Sequence, residues 1–159
     1  MTHHRRRNNG IDPSKINETV ELSPAQRYAA FKQTQAKQRT VAAEFARSMP
    51  FELDEFQMQA NDALEAGDNV LVAAPTGAGK TVAADFAIYL AQTRNVKAFY
   101  TTPIKALSNQ KYHDLVDQYG TDKVGLLTGD TSINSEADIV VMTTEVLRNM
   151  LYEHSVTLE

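Results

Sequence analysis

No cysteine occurs anywhere in the 159 residues, which excludes a disulfide framework and any thiolate metal site. The four histidines, His3, His4, His113 and His154, are scattered without ligand spacing, so a structural metal is not expected. Long apolar runs are lacking too. No stretch approaches the roughly twenty residues that a membrane helix needs, and the first residues, MTHHRRRNNG, lack the apolar segment of a secretory signal. The expected setting is the cytoplasm. With 42% hydrophobic and 23% charged residues, the composition is that of one ordinary globular unit large enough for a real core.

Net charge is −4, but unevenly placed: residues 1 to 50 hold nine Lys/Arg against four Asp/Glu, and residues 51 to 159 hold seven against sixteen. Residues 1–22, with Arg5-Arg6-Arg7, read as a disordered basic tail; a basic arm for nucleic-acid phosphates is the alternative, and a solvated end is the commoner outcome for so short a run. Ser23-Pro24 has the form of an N-cap followed by Pro at the first helical position. It predicts an extension helix over 23–50 whose Tyr28, Phe31, Val41 and Phe45 make a broken apolar stripe, and which is therefore expected to dock loosely.

From Phe51 the pattern alternates. Helices are expected over 55–66, closed by Gly67, and over 80–93, 105–118 and 145–152; strands are expected over 69–74, 97–102, 124–128 and 138–143. The strands are short unbroken apolar runs such as Ile139-Val140-Val141-Met142, as found when helices cover both faces of a sheet. The expected fold is an open α/β sheet, mostly parallel, over residues 51–159.

Between the first strand and its helix lies Ala74-Pro75-Thr76-Gly77-Ala78-Gly79-Lys80-Thr81. Glycines at this spacing permit positive φ, so successive N–H groups can face phosphate oxygens at the positive end of the following helix. Lys80 then supplies charge to the β- and γ-phosphates and Thr81 a hydroxyl to Mg²⁺, so the loop predicts a Mg-nucleotide site. A guanine-reading N-K-x-D is absent, and the D-x-x-G of Asp117 to Gly120 falls in a helix and its C-cap, which disfavours a GTP switch. Only Arg94 and Arg148 follow Lys80, too few for the arginine-rich lid of a small-molecule phosphotransferase.

Ligands of such sheets sit beyond the carboxyl ends of the strands. Those ends carry Thr101-Thr102-Pro103-Ile104-Lys105, Thr128-Gly129-Asp130 and Thr143-Thr144-Glu145, with Arg148 one turn on. Helix N-termini, hydroxyls and Arg148 could follow a phosphate backbone without reading bases. Taken singly, each has a structural explanation: Thr144 caps a helix, and Arg148 lies off the apolar stripe of Val146, Leu147, Met150 and Leu151.

Taken together, the segments FELDEFQ, VLVAAPTGAGKT, YTTPIKALSNQK, LLTGD and VMTTEVLRNML, in this order from Phe51 to about Tyr152, resemble the first RecA-like domain of a superfamily-two DExH-box helicase. The similarity is nearest to the superkiller-type RNA helicases and their actinobacterial relatives. The resemblance implies an ATP-dependent helicase using ATP and Mg²⁺ on single-stranded RNA or DNA. It implies that Gln57 reads adenine with Phe51 near the base, and that Lys80 and Thr81 serve phosphates and Mg²⁺. It also implies strand contacts from Thr102, Pro103, Lys105, Gly129, Asp130, Thr144 and Arg148. For Gln57 a second explanation stands beside this one, because Asp54 three residues earlier makes a capping box, while the stripe of Phe56, Ala60, Ala63 and Leu64 leaves Gln57 to one side and free to reach outward.

One departure from the family stands out. Hydrolysis needs an acidic pair at the end of a further strand, and the only Asp-Glu here, Asp54-Glu55, opens a helix before the loop. The sheet is accordingly expected to be incomplete toward the C-terminus and the chain to be an N-terminal part of a longer helicase. The alternative is a non-catalytic nucleotide- or RNA-binding fragment.

Overall fold

A computed structural model describes residues 23–153; the expected basic tail, with Arg5-Arg6-Arg7, lies outside them. The run Ile139–Thr143 forms strand β4, and every residue of it is buried. Successive side chains of a strand point to opposite faces, and here each face has its own helices. Ile139 and Val141 pack with Val124 and Leu126, with Ile88 of helix α4 (Thr81–Thr93) and with Leu115 of helix α5 (Lys105–Tyr119). Val140 and Met142 pack instead against Val146, Leu147 and Met150 of helix α6 (Thr144–Tyr152).

β4 is central in the sheet. It pairs in parallel with β1 (Ala98–Thr102), Thr102 opposite Thr143, and with β2 (Val124–Thr128), Leu127 opposite Met142. A fourth strand, β3 (Thr131–Ile133), turns back antiparallel on β2, so the order is β1-β4-β2-β3. β3 was not foreseen in the apolar pattern, since Thr131-Ser132-Ile133 has no run to mark it. Its return depends on Gly125, where a Cβ would stand 2.1 Å from the Asn134 carbonyl oxygen. The result is the expected α/β architecture, a mostly parallel sheet with helices on both faces.

Two expected elements differ. The extension is not one helix over 23–50 but two: α1 (Pro24–Gln38) and α2 (Val41–Ser48), and the chain divides into compact units between Gln38 and Arg39. α1 opens as its sequence suggests, Ser23 N–H donating to Gln26 Oε1 at 2.8 Å and Gln26 N–H to Ser23 Oγ at 3.3 Å. The break comes at Thr40, whose backbone is extended and whose hydroxyl accepts from Ala43 N–H at 3.1 Å, capping a new helix. Met49, extended as a residue before proline must be, ends it.

α2 is built into the α/β unit. Phe45, 1% exposed, meets Phe86 edge-on with ring centroids 5.3 Å apart and Tyr89 at 5.4 Å, inside a cluster with Val82 and Leu90. The Glu65 carboxylate of helix α3 (Glu55–Ala66) accepts from the free N–H groups of Val41 at 3.0 Å and Ala42 at 2.8 Å, satisfying two of the unpaired donors that begin a helix.

The second difference is the segment 69–74. Its burial alternates as in a strand, Val70 and Val72 half-buried and Leu71 and Ala73 exposed, but it joins no ladder among the described residues. Leu71 is 94% exposed. An apolar run sets a preference for extended backbone, whereas a strand also requires a neighbour to pair its N–H and C=O groups. Val70 to Ala73 lie instead beside Phe56, Ala60 and Ala63 of α3.

Candidate functional site

The glycine loop begins where 69–74 ends. Gly77 and Gly79 take φ of 85° and 76°, which ordinary side chains rarely adopt, and turn the backbone into α4, whose first residue, Thr81, is exposed. Lys80 is folded back into the loop: its Nζ donates to the carbonyl oxygens of Ala74 and Pro75, both at 2.7 Å. The ammonium therefore sits inside the curve of Ala74, Pro75, Thr76, Gly77, Ala78 and Gly79, held by two neutral acceptors that an anion would outcompete.

Gln57 is placed differently from the sequence reading. It is not free to reach outward but buried, 4% exposed, and its amide is engaged at both ends. Oε1 accepts from Asp54 N–H at 2.9 Å, the capping-box bond, while Nε2 donates to the Gly79 carbonyl at 3.0 Å. The cap is thus present, and the same side chain links the start of α3 to the glycine loop. Glycine suits position 79 because a Cβ there would strain φ and, lying 2.6 Å from Gln57 Nε2, would push the amide from its place. Phe51 is exposed at the bend before α3.

Gln57→Ala removes both bonds. Loss of about 1–3 kcal/mol of stability is expected from the two partners left unsatisfied, together with a smaller preference for ATP over GTP if the amide also meets the base. Competition titrations read beside a thermal melt separate these effects; an unchanged melt contradicts the link described above.

The parallel register of β1, β4 and β2 brings their carboxyl ends to one edge of the sheet, where Pro103 and Lys105 follow β1, Thr144 and Arg148 follow β4, and Gly129 and Asp130 follow β2, all exposed. Lys105, the first residue of α5, reaches Asp130 at 2.5 Å. The other Asp130 oxygen accepts from Thr128 Oγ1 at 2.9 Å and Thr131 Oγ1 at 3.3 Å. The Lys105 bond, then the Thr128 bond, hold the Asp130 carboxyl below the usual carboxylate range.

Thr102 does not join this edge with its hydroxyl. It is buried, and Oγ1 is taken by the Ile104 carbonyl at 2.9 Å and Ser108 Oγ at 2.7 Å, which fixes the turn into α5. The cap of α6 is Thr143 rather than Thr144: Thr143 Oγ1 accepts from Val146 N–H at 3.4 Å. Thr144 is left facing solvent, one turn before Arg148 on the same side of α6.

A pair that the sequence reading missed joins the two regions. Asp85, in the second turn of α4, and Lys111 of α5 form a partly buried ion pair at 2.5 Å, with the Lys111 ammonium 5.3 Å from the centre of the Tyr100 ring. Neither residue lies at a strand end or in the loop, so only their approach in space marks them.

Comparison with known proteins agrees with these features. The DEAD/DEAH box helicase family matches residues 54–159. The chain is 60% identical over 117 residues to a protein of Mycobacterium leprae named "Probable helicase HelY", covering 74% of this chain and 13% of that protein. It is 55% identical over 107 residues to "Antiviral helicase SKI2" of Saccharomyces cerevisiae, covering 67% and 8% respectively. Among solved structures, a hypothetical ATP-dependent RNA helicase from Sulfolobus tokodaii superposes with a TM-score of 0.52 at 28% identity, over 72% of this chain and 36% of that one. The chain thus spans a small part of the length of these curated relatives, and the family match over residues 54–159 of this chain includes its glycine loop and strand-end segments. With that loop, that sheet order and a match over residues 54–159, the chain belongs to the DEAD/DEAH box helicase family.

Proposed function

We propose that these residues form the ATP-binding part of an ATP-dependent helicase, working in the cytoplasm, that couples hydrolysis to movement on single-stranded nucleic acid. RNA is favoured over DNA because the Sulfolobus relative is described as an RNA helicase. The observation that supports coupling is the Asp85–Lys111 ion pair, which ties the helix that begins at the glycine loop to the helix that begins at Lys105.

The loop residues fit a Mg-nucleotide. Gly77 and Gly79 leave backbone N–H groups room to face phosphates, and Lys80 exchanges two carbonyl acceptors for phosphate oxygens. Thr81, exposed at the start of α4, would hold Mg²⁺ through its hydroxyl, and Mg-ATP when bound would supply the phosphoanhydride. Gln57, already bonded to Gly79, transmits the state of the loop to α3; to take the adenine edge, with Phe51 beside it, its amide would have to turn from Asp54 or Gly79 toward the base. On the sheet edge, Pro103, Lys105, Gly129, Thr144 and Arg148 follow the sugar-phosphate backbone, with Thr102 shaping the turn behind them.

Lys80→Ala tests the reading. Removing a charge-assisted bond is expected to weaken binding of a fluorescent ATP analogue by about 1.5–3 kcal/mol, roughly ten- to 150-fold. Equal binding by mutant and parent, both shown to be folded, rules the proposal out.

A further inference from the structure

Asp130 is out of place on an edge proposed to meet phosphates. Its carboxylate is exposed, it carries a negative charge, and it is held by an ammonium and two hydroxyls: Lys105 Nζ at 2.5 Å, Thr128 Oγ1 at 2.9 Å and Thr131 Oγ1 at 3.3 Å. An ammonium at a helix N-terminus with hydroxyls around it is also a donor set suited to a phosphate oxygen. The internal carboxylate and an incoming phosphate therefore compete for the same donors.

Building on the reading of this edge as the strand-binding surface, we propose that Asp130 is a built-in competitor of the bound strand. It occupies Lys105 when no strand is present and must be displaced from it when a backbone phosphate arrives. Two features favour displacement over a permanent bond. Both partners are open to water, with side-chain exposures of 48% for Lys105 and 66% for Asp130, and exposed ion pairs are weak and screened by salt. Asp130 also lies in an exposed turn after Gly129, where even an added Cβ would meet nothing within 4 Å, so there is open space beside it. The device makes binding depend on a strand that engages several donors at once, since a lone anion gains little by replacing one already in position. It assigns Asp130 the opposite sign of effect from a residue that contacts the strand.

The chain is titrated with a short fluorescein-labelled oligouridylate at low salt, as parent, Asp130→Asn, Lys105→Gln and the double variant, each checked for an unchanged melt. Asparagine keeps the acceptor for Thr128 and the size of the side chain while removing the charge. Asp130→Asn is expected to bind about two- to fivefold tighter than parent, in the range of one exposed ion pair. The gain should shrink as salt rises, and most of it should vanish in the Lys105→Gln background. Binding by Asp130→Asn that is equal to or weaker than parent, with Lys105→Gln weakened, overturns the competitor role and leaves the strand-binding reading standing. So does a gain of the same size in the absence of Lys105. If parent and all variants fail to bind, the strand-binding reading itself fails and takes the inference with it.

Discussion

Phe45→Ala is expected to destabilise the chain by about 3–5 kcal/mol, the range for truncating a buried phenylalanine, and to lower the melting temperature on the order of 10 °C or more. The ring is 1% exposed and packs against Phe86 and Tyr89 of α4. Its removal leaves a cavity between α2 and the helix that begins at Thr81, in a cluster against which Leu64 of α3 also packs. Those elements are also tied by polar bonds: Glu65 holds the start of α2, and Arg94 Nη2 donates to the Glu65 carbonyl at 2.7 Å. The site can therefore collapse only partly, which places the expected loss toward the upper part of the range. A denaturant melt is the measurement. A loss below about 1 kcal/mol, typical of a change at the surface, means that α2 is an appendage in solution and not part of the core.

That expectation differs from the sequence reading of the extension, and the difference has a physical cause. Tyr28, Phe31, Val41 and Phe45 look like one weak stripe because helical spacing cannot reveal the break at Thr40; counted from Val41 alone, Ala42 and Phe45 form a short, strongly one-sided helix. Its stability comes from Glu65 and from α4, both distant in sequence. The same division runs through the rest of the molecule. β4, α3 and α5 were legible because their signals are local: a run of four apolar residues, Asp54 with Gln57 at one end and Gly67 at the other, and Gly120 at φ 91° closing α5. Segment 69–74 and β3 were not, since pairing is decided by the neighbouring chain. In the site, the loop was legible from glycine spacing and the Asp54–Gln57 cap from its three-residue offset, but the Gly79 bond of Gln57 and the partners of Lys80, Asp85 and Asp130 were not. These partners lie across turns or between helices, and no periodicity encodes them.

The largest expected effect is on turnover: the 159-residue chain should bind Mg-ATP yet release phosphate no faster than its Lys80→Ala form, with or without single-stranded RNA. Hydrolysis by this kind of site needs an acidic group to hold Mg²⁺ and orient water, and a cation to neutralise the developing charge. Three of the carboxylates are committed elsewhere. Asp54 heads α3, Asp85 is bound to Lys111, and Asp130 is bound to Lys105. Among the described residues no group of three or more His, Asp or Glu side chains is placed to hold a metal. Arg94 is turned to the Glu65 carbonyl and Arg148 lies on α6, so neither stands at the loop. An arginine at the reacting phosphate alone is worth roughly 10³–10⁵ in rate, so turnover should fall at least that far below a site that has one. Phosphate release from purified parent and Lys80→Ala decides the matter. Clear RNA-stimulated release that Lys80→Ala abolishes would show that a carboxylate of this chain swings to the nucleotide, Glu145 after β4 and Asp130 after β2 being the two next to strand ends. The strand-bound arrangement would then have to differ from the one seen here, with the Lys105–Asp130 pair opened to release the acid.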